Sequence, residues 1–267
     1  MRAMAPAASG KRSRRMAAIL DLLAERGSVS LGQLSSELGI SPATARRDLA
    51  DMSDQRLLVR THGGARLIES RSELPVALRD TRYQDAKRAI ASAVAHAIPR
   101  QRYAVALSGG TTAANVARAL ATHEDLTIVT NSLTIAQLVT SYPQLKVVMT
   151  GGILRPESLE LVGVLAENTF NAINLGTAIL GTDGMTAAGG VTTHDETEAR
   201  TNNAMVTHAQ RVVVVADGSK IGRLALAQVA TIDQVDLLVT DSSADPEAVA
   251  AIRAAGVEVQ VVEVPAP

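Results

Sequence analysis

The 267-residue sequence predicts an α/β protein in two parts, an N-terminal winged helix-turn-helix module followed by a C-terminal α/β domain on a parallel sheet. Three observations predict it. Residues 1–66 hold 11 Lys and Arg against 6 Asp and Glu, net +5, while the remaining 15 and 21 leave the rest of the chain at net −6. Helical periods with cap residues fill the start of the chain, and past Arg102 short apolar runs alternate with helical periods, the pattern of parallel strands joined by helices. The length suits two domains, and 46% apolar with 20% charged residues is the composition of a folded chain.

The N-terminal elements follow one another closely. Residues 1–13 read as a flexible basic arm, and residues 14–68 as the winged module. Met16, Ile19, Leu20 and Leu23 keep helical spacing up to Gly27, which suits a helix C-terminus. Ser30-Leu31-Gly32-Gln33 has the capping-box pattern, Leu31, Leu34 and Leu38 share a face, and Gly39 closes this second helix. Ser41 caps and Pro42 opens a third helix that runs to about Gln55. Two helices joined by so short a Gly-containing turn form a helix-turn-helix, whose second helix offers its N-terminal residues to the major groove. There Ala43, Thr44, Arg46 and Arg47 form a basic, short-chained face, while Ala45, Leu49 and Met52 point inward. An arginine can bind guanine O6 and N7 together or hold a phosphate. Leu57 to Thr61, a turn at His62 to Ala65, and Arg66 to Ile68 read as a β-hairpin wing, with Arg60, His62 and Arg66 around its Gly63-Gly64 tip.

Composition removes several classes of function. Cysteine is absent, which excludes disulfides, thiol catalysis and thiolate zinc sites and suits a reducing, cytoplasmic compartment. No apolar run reaches the roughly 18 residues of a membrane span, and Asp21 interrupts the segment behind the basic N-terminus, which argues against a secretory signal. With 3 Tyr, 1 Phe and no Trp, there is little to stack bases or bare sugar rings upon. Recognition is therefore expected to be polar. No metal site is expected, because His194 has no second histidine at ligand spacing and His62 is a lone turn histidine. No cofactor is expected either.

The segment Glu69 to Asp85 is charged, contains Pro75 and has weak periodicity, so it reads as a linker before a domain over 86–267. Strands are expected at Tyr103 to Leu107, Thr127 to Val129, Lys146 to Met149, Ala178 to Leu180, Val212 to Ala216 and Leu237 to Val239. Helices are expected at Ala113 to Ala121, Leu133 to Ser141, Glu196 to His208 and Pro246 to Ala255. Small polar residues collect after the strands: Ser108-Gly109-Gly110-Thr111-Thr112, Thr130-Asn131-Ser132, Thr150-Gly151-Gly152, Gly181-Thr182-Asp183-Gly184, Asp217-Gly218-Ser219-Lys220 and Thr240-Asp241. In open α/β sheets ligands bind at that edge. Residues 108–112 lie between a strand and a helix, where backbone N–H groups and threonine hydroxyls can receive a phosphate, yet they match neither GxGxxG nor a Walker motif. Lys220 can neutralise a phosphate and Asp183 can accept sugar hydroxyls, although Thr182-Asp183-Gly184 equally fits an Asx turn. Arg155 reaches ligand or a neighbouring loop, and Glu196 and Glu198 suit a helix N-terminus.

Ser41-Pro42-Ala43-Thr44-Ala45-Arg46-Arg47-Asp48-Leu49, followed by Arg60-Thr61-His62-Gly63-Gly64-Ala65, resembles the signature of DeoR-type bacterial transcriptional repressors. Ala45 stands where that family usually has isoleucine, and Met52-Ser53-Asp54 where leucine and glutamate are usual; both departures touch packing more than readout. The resemblance continues through Gly110-Thr111-Thr112, Thr130-Asn131-Ser132, Gly151-Gly152-Ile153-Leu154-Arg155 and Asp217-Gly218-Ser219-Lys220, covering about Arg14 to Asp241. It implies a sensor domain similar in fold to ribose-phosphate isomerases and a phosphorylated sugar as effector. The expected DNA contacts are Ser41, Ala43, Thr44, Arg46, Arg47, Arg60, His62 and Gly63. The expected effector contacts are Ser108, Gly109, Gly110, Thr111, Thr112, Asn131, Gly152, Arg155, Asp183 and Lys220.

The function expected is a non-enzymatic repressor of a carbohydrate operon, a homo-oligomer (dimer or tetramer) on double-stranded operator DNA in the bacterial nucleoid, released by a sugar phosphate. The alternative is a sugar-phosphate isomerase with an appended DNA-binding module, since Asp183, Glu196 and Lys220 offer acid and base groups. The attached reader favours regulation, because an isomerase has no use for a groove-facing helix. The polar strand-end loops weigh against a purely structural nucleoid protein.

Overall fold

Met16, Ile19, Leu20 and Leu23 are all buried along one stripe of the first helix, α1 (Pro6–Arg26), as their spacing requires. The computed structural model describes residues 6–54, 57–67, 76–79 and 83–264, which divide into two units, Met1–Arg82 and Tyr83–Pro267. In the first unit α1 begins well before Arg14, so residues 6–13, expected as a flexible arm, belong to a helix. Its extension places Arg12 and Arg15, one turn apart, against Asp48 and Asp51 of a later helix.

The chain then forms β1 (Ser28–Ser30), α2 (Leu31–Leu38), α3 (Pro42–Asp54), β2 (Leu58–Thr61), β3 (Gly64–Leu67) and the single turn α4 (Val76–Arg79). The capping box is present: Gln33 N–H donates to Ser30 Oγ at 3.2 Å and Ser30 N–H to Gln33 Oε1 at 2.8 Å. Gly39 ends α2 in the left-handed region at φ 61° and donates its N–H to Ser35 O. The hairpin β2–β3 turns on His62-Gly63, and β1 joins it to make an antiparallel sheet of order β1-β3-β2. Leu34, Ala45, Leu49, Met52 and Leu58 close the core with the α1 stripe. Gln55, Ile68 and most of the segment 69–85 lie outside the described residues; within that segment are α4 and the start of the next helix.

The second unit opens with α5 (Gln84–Ala97) and continues β4 (Tyr103–Leu107), α6 (Thr111–Ala119), β5 (Leu126–Thr130), α7 (Leu133–Val139) and β6 (Lys146–Met149). Next come the hairpin strands β7 (Ile153–Arg155) and β8 (Glu160–Val162), α8 (Val164–Asn171), β9 (Leu175–Gly181), β10 (Gly184–Thr186), β11 (Gly190–Thr193) and α9 (Glu196–Thr207). The unit ends with β12 (Ala209–Val215), β13 (Ala227–Ala230), β14 (Leu237–Asp241), α10 (Pro246–Ala254) and β15 (Glu258–Val262). Every expected strand and helix of this domain has its counterpart here.

The main sheet has the order β15-β14-β12-β9-β4-β5-β6, and each of its pairings is parallel. Alternation within strands feeds two cores. Val105, Leu107, Ile179, Val213 and Val215 face the layer of α5, α6 and α7, whereas Ala106, Ala178, Leu180, Val212 and Val214 face Phe170, Met205 and Ile252. The chain winds outward from β4 to β6 and then returns to lay β9 on the other side of β4. The strand order thus reverses between β4 and β9, and such a switch point opens a crevice at the carboxyl ends of the two strands.

Candidate functional site

The residues expected to contact DNA gather on α3 and the β2–β3 hairpin. Ser41 Oγ accepts Thr44 N–H at 3.1 Å, capping the helix that carries the exposed Ala43, Arg46 and Arg47, and lies 2.9 Å from Thr44 Oγ1. The capping use of Ser41 was legible in the sequence; its contact with the Thr44 hydroxyl was not. Arg46, Arg47 and Arg60 form no ion pair among the described residues and stand exposed, as do His62 and Gly63 on the hairpin. Three other cations of this unit are used differently. Arg12 and Arg15 hold Asp48, which is 2% exposed, and Arg26 pairs with Glu37. Asp48 has a positioning role that the pattern did not single out: it sits beside Arg47 in sequence but turns inward to bind α1, joining it to the helix whose outer face carries the arginines. Gly64 has a packing role, since a Cβ there would lie 1.9 Å from Val29 O where β3 crosses β1.

At the switch point, the loops after β4 and β9 are clipped together. Ser108 Oγ accepts Gly181 N–H at 2.9 Å, and Ser108 N–H donates to Ile179 O at 3.1 Å. Ser108 is therefore a brace between loops. Gly110 precedes α6 with φ 97°, and Thr111 and Thr112 form its first two positions, buried, with no side-chain hydrogen bond among the described residues. Their hydroxyls and the unpaired N–H groups of the first helical turn make an electropositive pole.

A polar chain runs through the loops after β9, β11 and β12. Lys220 Nζ donates to Asp183 Oδ1 at 3.3 Å, and the Thr193 hydroxyl lies 3.1 Å from Asp183 Oδ2 and 2.6 Å from Glu198 Oε1. Arg155 Nη1 meets Glu198 Oε2 at 3.2 Å, and its Nε meets Asp195 at 3.3 Å. Thus Asp183 and Lys220, predicted separately, form one ion pair. Arg155 reaches a neighbouring loop, with its charge directed to the start of α9. Asp195 rather than Glu196 or Glu198 caps α9, leaving Glu196 exposed and Glu198 turned into the polar chain.

Asn131 is fully buried, donates to Asn202 Oδ1 at 3.2 Å and leaves its own Oδ1 without a partner. Thr150 Oγ1, in the loop after β6, and Thr240 Oγ1, near the end of β14, are also buried and unpartnered. Gly152 allows a close backbone crossing, as a Cβ there would come 2.8 Å from Val162 O. Glu160, from β8, was missed: its carboxylate accepts Gly109 N–H at 2.5 Å. No local pattern marks it, because the contact joins positions 51 apart in sequence.

A winged helix-turn-helix with exposed arginines on its third helix, carried with an α/β domain whose polar strand-end loops gather at a topological switch point, defines a DNA-binding transcriptional regulator with a separate sensing domain. The chain belongs to the DeoR family: residues 15–71 match the DeoR-like helix-turn-helix domain and residues 82–242 the DeoR C terminal sensor domain. It is 33% identical to the putative aga operon transcriptional repressor of Escherichia coli O157:H7, over 94% of this chain and 94% of that protein. It is also 33% identical to the glycerol-3-phosphate regulon repressor of Escherichia coli K12, over 87% and 92%, and 36% identical to the HTH-type transcriptional regulator GlpR of Haloferax volcanii, over 90% and 94%. Among solved structures, ribose 5 phosphate isomerase A from Neisseria gonorrhoeae superposes with a TM-score of 0.38 at 18% identity over 53% of each chain.

Proposed function

We propose that this regulator is a repressor of a carbohydrate operon that leaves its operator when a phosphorylated sugar or polyol fills the crevice between β4 and β9. The observation that carries the reading is the pair Thr111 and Thr112: two largely buried threonines at the start of α6, behind a glycine loop at the switch point, whose hydroxyls have no side-chain hydrogen bond among the described residues. A phosphate there would take helix N–H groups and both hydroxyls, while the ion-paired Asp183 and Lys220, two strand-end loops along the same sheet, suit the hydroxyls of the same ligand. The name of the glycerol-3-phosphate regulon repressor, one of its relatives, supports a phosphorylated effector. On this reading the domain senses and does not catalyse, and the protein works in the cytoplasm on the nucleoid. Among the described residues no helix is long and apolar enough to cross a membrane.

On the DNA side, Arg46 and Arg47 read the major groove and Arg60, His62 and Gly63 contact the backbone or minor groove, with Ser41, Ala43 and Thr44 at the groove floor. Two copies are needed for two half-sites. Exposed Ile153, Leu154, Val164 and Leu165 on the sensor unit supply apolar surface for such pairing.

Calorimetric titration of the full chain with phosphorylated trioses, pentoses, hexoses and polyols, beside their dephosphorylated forms, tests the effector assignment. One phosphorylated compound should bind and weaken operator affinity, and by reciprocity the operator should weaken its binding by the same factor. Equal binding of the dephosphorylated form, or no binding by any member, would refute it.

A further inference from the structure

The glycine loop proposed to take the effector's phosphate already holds an anion of the protein's own. Glu160 is 2% exposed, and its Oε1 sits 2.5 Å from Gly109 N. The fit is close: a Cβ on Gly109 would lie 2.3 Å from Glu160 Cδ, so glycine here makes room for the carboxylate. The strand delivering it is braced on both sides. Leu161 N–H donates to Asn131 O at 2.7 Å, Leu133 N–H donates to Leu159 O at 3.0 Å, and Glu160 faces Arg155 across the β7–β8 hairpin.

Burying a carboxylate is costly unless its charge is met, and among the described residues no cation pairs with Glu160. What meets it is a main-chain N–H of the loop that leads into the electropositive end of α6. This is the contact a phosphate oxygen makes at a strand-to-helix loop.

We infer that Glu160 is a resident competitor for the anion position of the loop 108–112, which the effector's phosphate must displace from Gly109. The inference rests on the reading of that loop as the phosphate site. It gives the site a means of discrimination. An anion offering only a phosphate gains little by exchanging with a carboxylate already in place, whereas a sugar phosphate adds contacts from its hydroxyls that tip the exchange. Glu160 thereby sets the selectivity for phosphorylated sugars over inorganic phosphate.

The test compares the full-length protein with Glu160→Gln, which keeps the shape and the acceptor but removes the charge. Both are titrated with inorganic phosphate and with the sugar-phosphate panel. The Gln variant should bind inorganic phosphate about tenfold more tightly than the wild type, and the advantage of the sugar phosphate over inorganic phosphate should shrink accordingly. The Gly109 amide resonance supplies a second readout: the effector should shift it in the wild type, and Glu160→Ala should shift it without effector. If the Gln variant fails to fold, Glu160→Ala replaces it in the titrations with the same expectation. Unchanged or weaker phosphate binding in the variant, alongside normal sugar-phosphate binding by the wild type, would overturn the inference and leave the site reading standing. Failure of every phosphorylated compound to bind either protein would instead remove the phosphate reading and this inference with it.

Discussion

Arg15 grips the buried carboxylate of Asp48 with two nitrogens, Nε on one oxygen and Nη2 3.0 Å from the other. The hydrogen bond to Asp48 raises the Arg15 pKa above its ordinary value, burial opposes that rise, and the charge of Asp48 adds to it. Raised in the folded state, this group contributes stability that is fully present below its unfolded pKa and is lost only as pH rises through the folded one. Arg15 therefore adds no pH dependence near neutrality. What it supplies is position, because α1 and the reading helix α3 are joined through it.

Arg15→Met should destabilise the N-terminal unit by about 3 kcal/mol, since among the described residues it leaves buried Asp48 with only Arg12 nearby, Nε to Oδ1 3.9 Å. Urea denaturation followed by circular dichroism measures this. No change in midpoint would mean the pair is a bystander.

Arg47→Ala should cost about 1 to 3 kcal/mol on operator DNA if the arginine binds a base edge, with relaxed selectivity at one position. If Arg46 or Arg47 holds a phosphate instead, its loss weakens all duplexes alike and lowers the salt slope by about one. Anisotropy titrations at several salt concentrations separate the two, and unaltered operator affinity in both variants would exclude α3 as the reader.

Gly64→Ala places a Cβ 1.9 Å from Val29 O, so the crossing of β1 and β3 must open. We expect about 3 kcal/mol of destabilisation, with operator binding lost and sugar-phosphate binding retained. Calorimetry with effector provides the control; loss of both activities would contradict this local origin.

Lys220→Met and Asp183→Asn each break the ion pair at the crevice. Each should weaken sugar-phosphate binding by roughly 2 kcal/mol and leave operator affinity of the unliganded protein unchanged. Release of operator at the wild-type effector concentration would put the sensing site elsewhere.

If the proposed pairing uses the exposed apolar face, Leu165→Glu should abolish self-association and weaken operator binding by removing the second half-site contact. Light scattering reads the first effect and anisotropy the second. A wild-type protein that is monomeric with and without DNA would dispose of the expectation.

The reader was legible because its signals are local. Ser30 with Gln33, Gly39 at the left-handed turn and Pro42 at a helix start each act within a few residues, and the buried Ala45, Leu49 and Met52 follow one helical period. The long strands were legible for the same reason. In contrast, β7, β8 and β10 span three residues each, too few to show alternation. Helix α5 went unread although Ala86, Ile90, Ala91 and Val94 carry its period, because alanine makes a faint stripe beside a charged segment.

By itself the sequence determined the two-part architecture, the caps, the inward stripes and the gathering of small polar residues at the strand ends. Only the tertiary structure decided which charges are spent inside the molecule and which remain to act. Arg15 and Asp48 are 33 positions apart, Lys220 and Asp183 37, Gly109 and Glu160 51, and Ser108 and Gly181 73. A helical or strand period arises from geometry between near neighbours, so it can be read along the chain. The partner of a charge depends on distance and burial after folding, and those are set when the winding of the chain brings the ends of β4 and β9 and the strand β8 together.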